Sequence, residues 1–197
     1  MSVTPEMVKE LRGATGAGIL DCKEALEAAE CDMERAQKIL RDKGLARAAR
    51  KAEREAKQGL IEAYVHLGKA GALVELNCET DFVARTPEFQ KLAHNLAMQV
   101  VGARAQYVSP EDVPADVLEK MKEEIRAEMA DEGKPEQVLE RIVEGKVAKF
   151  YEEACILKQP YIRDQDKTVE DVIKEAIATI GENIVLRRFV HLELEES

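Results

Sequence analysis

Apolar positions in the first 43 residues recur at helical spacing in three short runs. Thr4, Pro5 and Glu6 supply an N-cap, a first-turn proline and an acidic first turn, after which Met7, Val8 and Leu11 share one face. The segment Gly13-Ala14-Thr15-Gly16-Ala17-Gly18 breaks that pattern. Cys22, Ala25, Leu26 and Ala29 then align, and a third run starts at the cap Asp32 with Ala36, Ile39 and Leu40 facing inward. Helices this short stabilise one another only as a compact bundle. Residues 44–58, rich in Ala, Arg, Lys and Glu, read as a helical linker with little to bury. Period two follows. Ile61, Ala63, Val65 and Leu67 alternate with Glu62, Tyr64 and His66, and Ala72, Val74, Leu76 and Cys78 alternate with Glu75 and Asn77 across Gly68-Lys69-Ala70-Gly71. This predicts a β-hairpin with one buried face. Its third strand is expected at the far end, where Leu186, Arg188, Val190, Leu192 and Leu194 alternate with Arg187, Phe189, His191 and Glu193. The sheet's second face is then expected to carry Tyr64, Leu73, Phe189 and His191 among polar residues.

Two helices are expected to cover this sheet. Thr86-Pro87-Glu88 caps a stripe of Phe89, Leu92, Ala93, Leu96, Ala97 and Val100. A second stripe holds Val169, Val172, Ile173, Ala176, Ile177 and Ile180 and closes at Gly181. Helices over one face of a small antiparallel sheet make an α+β fold. The expected organisation is an N-terminal three-helix bundle with its helical linker over 1–54 and an α+β core over 55–197. Within the core, residues 116–153 read as an inserted hairpin of two charged helices broken at Gly133-Lys134-Pro135.

Charge narrows the classes of function. The chain of 197 residues carries a formal net charge of −10, and aromatics make up only 4% of it. Neither a basic footprint for a phosphate backbone nor a set of stacking side chains for bases is present, so direct nucleic-acid binding is not expected. Arg35 to Lys57 is a basic run of nine cationic against three acidic side chains, which reads as a solvated helix. Cys22, Cys31, Cys78 and Cys155 form no C-x-x-C pair, and His66, His94 and His191 are scattered. Reduced thiols in a cytoplasmic protein and no metal site are the expectation. No apolar run reaches membrane-spanning length, and the start of the chain lacks a basic-then-apolar signal.

Candidate chemistry is sparse. Gly13 and Gly18 have the spacing of a phosphate-binding loop, but Ile19-Leu20 stands where Lys and Ser/Thr would follow, and no strand precedes it. A tight turn between helices is the simpler reading. Ile19 and Leu20 either pack in the bundle or form an exposed apolar knob for a partner. No Ser-His-Asp or Cys-His arrangement suggests itself, and the acidic pairs have basic neighbours four residues away. Leu76 to Arg85 joins a strand to a helix, with Thr80 capping a short turn and Asp81 near its N-terminus. Phe82 there is either tucked under its own helix or presented outward as an anchor. Two classes stay open at this point, a generic helical-bundle adaptor and an acid–base enzyme that would need a polar cleft of convergent carboxylates.

Two stretches carry a resemblance. Leu11-Arg12-Gly13-Ala14-Thr15-Gly16-Ala17-Gly18-Ile19-Leu20-Asp21-Cys22-Lys23-Glu24-Ala25-Leu26 and Glu75-Leu76-Asn77-Cys78-Glu79-Thr80-Asp81-Phe82-Val83-Ala84-Arg85 resemble the two signatures of the bacterial elongation factor Ts family. Gln159-Pro160-Tyr161 and the ending from Gly181-Glu182-Asn183 to Arg188-Phe189 resemble it too, in the same order over essentially the whole chain. The resemblance implies an N-terminal bundle like ubiquitin-associated domains, which docks on the GTPase domain of elongation factor Tu with Ile19, Leu20 and Lys23 in or near the contact. It implies that Thr80, Asp81, Phe82 and Val83 form the element that intrudes near the partner's nucleotide and dislodges its magnesium. It further implies the short form of the family, a homodimer, guanine-nucleotide exchange activity with no catalytic centre, and no cofactor. Nothing is carried over to residues 116–153.

Overall fold

The computed structural model describes residues 2–129 and 135–194. In chain order these form α1 (Pro5–Thr15), α2 (Ile19–Ala28), α3 (Met33–Lys51), β1 (Gln58–His66), β2 (Ala70–Cys78), α4 (Asp81–Ala84), α5 (Pro87–Ala103), α6 (Ala115–Met129), α7 (Glu136–Ala154), β3 (Pro160–Tyr161), β4 (Asp164–Thr168), α8 (Val169–Ile180) and β5 (Ile184–Glu193). The fold is α+β, with a three-stranded antiparallel sheet in the order β1-β2-β5 and a two-stranded ribbon of β3 and β4. No described helix is long and apolar enough to cross a membrane.

The chain divides into two compact units, each assembled from separate stretches. One comprises Met1–Gly59, Asn77–Phe89 and Ile173–Val185. Its core is the bundle, where Leu11, Cys22, Ala25, Leu26, Ala29, Ala36 and Leu40 are buried together. The caps read from sequence form. Thr4 accepts from the Met7 N–H, and Asp32 accepts from the Arg35 N–H at 2.9 Å. Gly16 closes α1 with φ of 68°, a left-handed conformation that a side chain would strain. Of the stretch 44–58 expected as a helical linker with little to bury, residues 44–51 continue α3. It buries Ala48, and a Cβ placed on Gly44 would lie only 3.1 Å from the Ala178 Cβ of α8. Small residues at both positions let the two helices approach closely, a packing that composition alone did not announce.

The other unit comprises Leu60–Leu76, Gln90–Val172 and Leu186–Ser197. Here α5 buries Leu92, Ala93, Leu96, Ala97 and Val100 as its spacing requires, and β2 buries Ala72, Val74 and Leu76. The phase of β1 is the reverse of the expectation. Ile61, Ala63 and Val65 do share a face, but it is the exposed one, whereas Glu62 and Tyr64 are half-buried. The reason lies on α5. His94 hydrogen-bonds the Glu62 carboxylate at 2.8 Å, and its ring meets Tyr64 edge-on at 5.7 Å, so two amphipathic side chains occupy the covered face of this edge strand. In β5, Leu186 is buried, Phe189 and His191 are half-buried, and Val190 and Leu192 are exposed. Tyr64, Phe189 and His191 therefore do not make up the open face. That face carries Ile61, Val65, Leu73, Val190 and Leu192, each at least half exposed, with Arg188 paired to Glu75 at 2.7 Å among them.

Helices α6 and α7 pack through Ile125, Val143 and Val147. The pairs Arg126–Glu140 and Lys146–Glu128 flank that contact at 2.9 Å each. The break expected at Gly133-Lys134-Pro135 falls largely outside the described residues. The β3–β4 ribbon was not expected, since two residues of strand leave no periodicity to read. It is anchored by the buried Gln99, whose amide N–H donates to the Pro160 carbonyl and whose amide oxygen accepts from the Ile162 N–H at 2.8 Å.

Candidate functional site

The connection from β2 to α5 is built on a polar frame. Cys78 ends β2 fully buried and donates its S–H to the Thr80 carbonyl at 3.1 Å. Burial, reinforced by the neighbouring Glu182 carboxylate, pushes the Cys78 thiol up from its ordinary range. Thr80 then caps α4, its hydroxyl accepting from the Val83 N–H. The same hydroxyl donates to Glu182 Oε1 at 2.6 Å, so its proton is committed to the carboxylate and a lone pair is left for the cap. The other oxygen, Glu182 Oε2, accepts from the backbone N–H groups of Glu79 and Thr80 at 3.1 and 3.0 Å. Three donors thus converge on one carboxylate, and hydrogen bonds to a charged acceptor are the stronger kind.

A second layer ties this frame to the end of α3. Glu79 Oε1 accepts from the Asn183 N–H at 2.7 Å and lies 3.6 Å from Arg54. The Asn183 amide, 3% exposed, donates to the Ala52 and Arg54 carbonyls, and Lys51 donates to the Gly181 carbonyl. Glu79, Glu182 and Asn183 were not singled out as functional from sequence. Glu79 lies inside the second of the two resembling stretches and Glu182-Asn183 open the resembling ending, but nothing there says what they bond, because their partners lie about a hundred residues away in the chain.

What this frame presents is Phe82. The ring is 78% exposed on a four-residue helix, so of its two possible fates the outward one is realised. Asp81 beside it pairs with Arg85 at 2.8 Å. Val83 is half-buried, and its carbonyl accepts from the Thr86 hydroxyl at 2.8 Å. Ala84 and Phe89 are buried and anchor the far side of the turn.

The second set of residues opens α2. Gly18 caps that helix without a side chain, and Ile19 and Leu20 stand 62% and 69% exposed in its first turn. They do not pack in the bundle; the core positions of α2 are Cys22, Ala25 and Leu26. Lys23 is exposed and lies 3.8 Å from Glu27. Behind the knob, Asp21 receives both terminal nitrogens of Arg47, at 2.7 and 3.1 Å. That guanidinium holds the Asp21 carboxyl below its ordinary range. Both sets of candidate residues belong to the same compact unit. Apolar side chains displayed to water on a held backbone are suited to seating in a partner's pocket. No group of three or more His, Cys, Asp or Glu side chains among the described residues is arranged to hold a metal ion.

Comparisons with known proteins agree with one another. The family model described as Elongation factor TS matches residues 33–178. The chain is 56% identical over 195 residues to the protein named Elongation factor Ts from Carboxydothermus hydrogenoformans, covering 98% of this chain and 90% of that protein. It is 52% identical to the Elongation factor Ts of Coprothermobacter proteolyticus, with both chains covered in full.

Proposed function

The chain belongs to the elongation factor Ts family of translation elongation factors, and from that premise we propose that it is the guanine-nucleotide exchange factor for elongation factor Tu in the cytoplasm. One observation carries the reading most directly: a phenylalanine left in water at the tip of a turn whose backbone is fixed by a carboxylate with three donors. Residues 1–54 dock through Ile19, Leu20 and Lys23. The core, residues 55–197, presents Thr80 to Val83 at the partner's nucleotide site. There the inserted Phe82 and Asp81 displace the magnesium that neutralises phosphate charge, and GDP is held more weakly. No bond is made or broken by this chain, and no cofactor takes part.

The action is a coupling of two binding equilibria. Whatever factor this protein takes from the affinity of elongation factor Tu for GDP, the nucleotide takes from the affinity for this protein. An incoming GTP therefore expels it, and the overall nucleotide equilibrium is unchanged. The same reading includes a homodimer. The open sheet face, with Ile61, Val65, Leu73, Val190 and Leu192 displayed from three strands, is the surface through which two copies pair.

Release of a fluorescent GDP from elongation factor Tu tests the proposal. Sub-stoichiometric amounts of this chain should accelerate release, and the pure protein should neither bind nor hydrolyse GTP. Unchanged release, or hydrolysis by the protein alone, would overturn it.

A further inference from the structure

Helix α4 is a single turn, too short to hold its shape by its own hydrogen bonds. Its most apolar residue cannot steady it either, because the Phe82 ring packs mostly against water. The turn is held by buried Ala84 and Phe89 on its far side and, at its base, by the Glu182 carboxylate. It accepts from the Glu79 N–H, the Thr80 N–H and the Thr80 hydroxyl, whose position sets the cap on Val83. The next residue, Asn183, is joined through its own N–H to Glu79 and through its amide to the last carbonyls after α3. A single two-residue turn, Glu182-Asn183, therefore clasps both the base of the Phe82 turn and the end of the bundle's longest helix.

We propose that Glu182 is a positioning residue for nucleotide exchange. It keeps Phe82 and Asp81 in the presented geometry and, with Asn183, fixes that geometry to the end of α3. The inference rests on the exchange reading above and adds the residue that holds the exchange element in place. Docking of the bundle and insertion of the ring then occur as one rigid act, and no ordering cost is left to be met at the nucleotide site.

Maximal exchange rate and half-saturating concentration separate this role from a merely structural one. Hydrogen bonds to a charged group are worth enough that losing them should cost about tenfold in rate. Glu182→Ala should lower the maximal rate of GDP release by about tenfold while the half-saturating concentration moves less than about threefold. Glu182→Gln, which keeps one acceptor oxygen for the two N–H groups, should fall between the two. It also serves as the test if the alanine variant does not fold. In a Phe82→Ala background, Glu182→Ala should add less than about twofold, because the ring it positions is gone. A wild-type maximal rate in a folded Glu182→Gln and Glu182→Ala pair, or the full loss persisting without Phe82, would overturn the assignment. A wild-type chain that fails to accelerate release at all would instead overturn the exchange reading, and this inference with it.

Discussion

Two apolar surfaces of this molecule are built in opposite ways. The turn around Phe82 offers one ring on a frame of charge-assisted hydrogen bonds. The open face of the β1-β2-β5 sheet offers Ile61, Val65, Leu73, Val190 and Leu192, with the Arg188–Glu75 pair among them and the regular sheet as its support. A lone anchor on a rigid frame contributes binding energy at one point, which suits a contact that a nucleotide must dislodge in every cycle. A broad apolar face has no such economy of contact and suits a partner that stays. The contrast separates a working contact from an assembling one, and it is open to attack from both sides.

The heaviest blow falls on the ring. Phe82→Ala should slow catalysed GDP release by roughly tenfold or more, since burying a Phe in a partner contributes about 1.5–3 kcal/mol and each factor of ten corresponds to about 1.4 kcal/mol. Thermal unfolding should move by less than about 2 °C, as expected where a side chain supports little of its own fold. Were Phe82 part of the core, truncation would instead cost about 3–5 kcal/mol of stability. A mutant that melts far earlier yet exchanges normally when folded would erase the distinction between the two surfaces.

The sheet face should answer to charge rather than truncation. Leu73 lies on the central strand of the open face, half exposed. Leu73→Glu puts a carboxylate into the middle of the proposed dimer contact and should weaken pairing by about tenfold or more by light scattering. The monomer's own melting should be little changed. A wild-type chain that stays monomeric at micromolar concentration would remove the lasting partner from the comparison.

How much of this was legible beforehand follows the range of the forces involved. Helix faces were plain, because the stripe of α5 is set by local spacing and every stripe residue is buried. Alternation in β1 correctly told which residues share a face, but not which face is covered. That depended on His94 of α5 reaching Glu62 and Tyr64 across the fold, and a period of two has no sign. Phe82 was ambiguous because hydrophobicity averages over residues of its kind, whereas its fate is decided by polar neighbours. Those neighbours, Glu182 and Asn183, act through hydrogen bonds to residues about a hundred positions away, and the short motif they open does not tell which residues they reach.

The smallest expected effect concerns the other exposed apolar element, the Ile19-Leu20 knob, and it tests whether the kind of frame matters. Here the backing is the Asp21–Arg47 pair, whose side chains are 24% and 49% exposed, in place of the half-buried Glu182. Such a pair is screened by water, so Asp21→Asn should cost less than about 1 kcal/mol of stability at neutral pH. The sign of its pH dependence is fixed. The Arg47 hydrogen bonds lower the folded-state pKa of Asp21 below its ordinary 3.8. The carboxylate therefore stabilises the folded chain above that ordinary value, and the contribution fades as pH falls through the lowered one. Wild type and Asp21→Asn should accordingly differ slightly in melting temperature at pH 7 and converge under acid. Because the pair sits behind the docking knob, its loss should raise the half-saturating concentration for exchange by no more than about threefold and leave the maximal rate alone, the mirror image of the split expected at Glu182. A fall in maximal rate on Asp21→Asn would mean that the ion pair behind the knob also holds the ring in place, and that the contrast between a soft knob and a rigidly held ring does not exist.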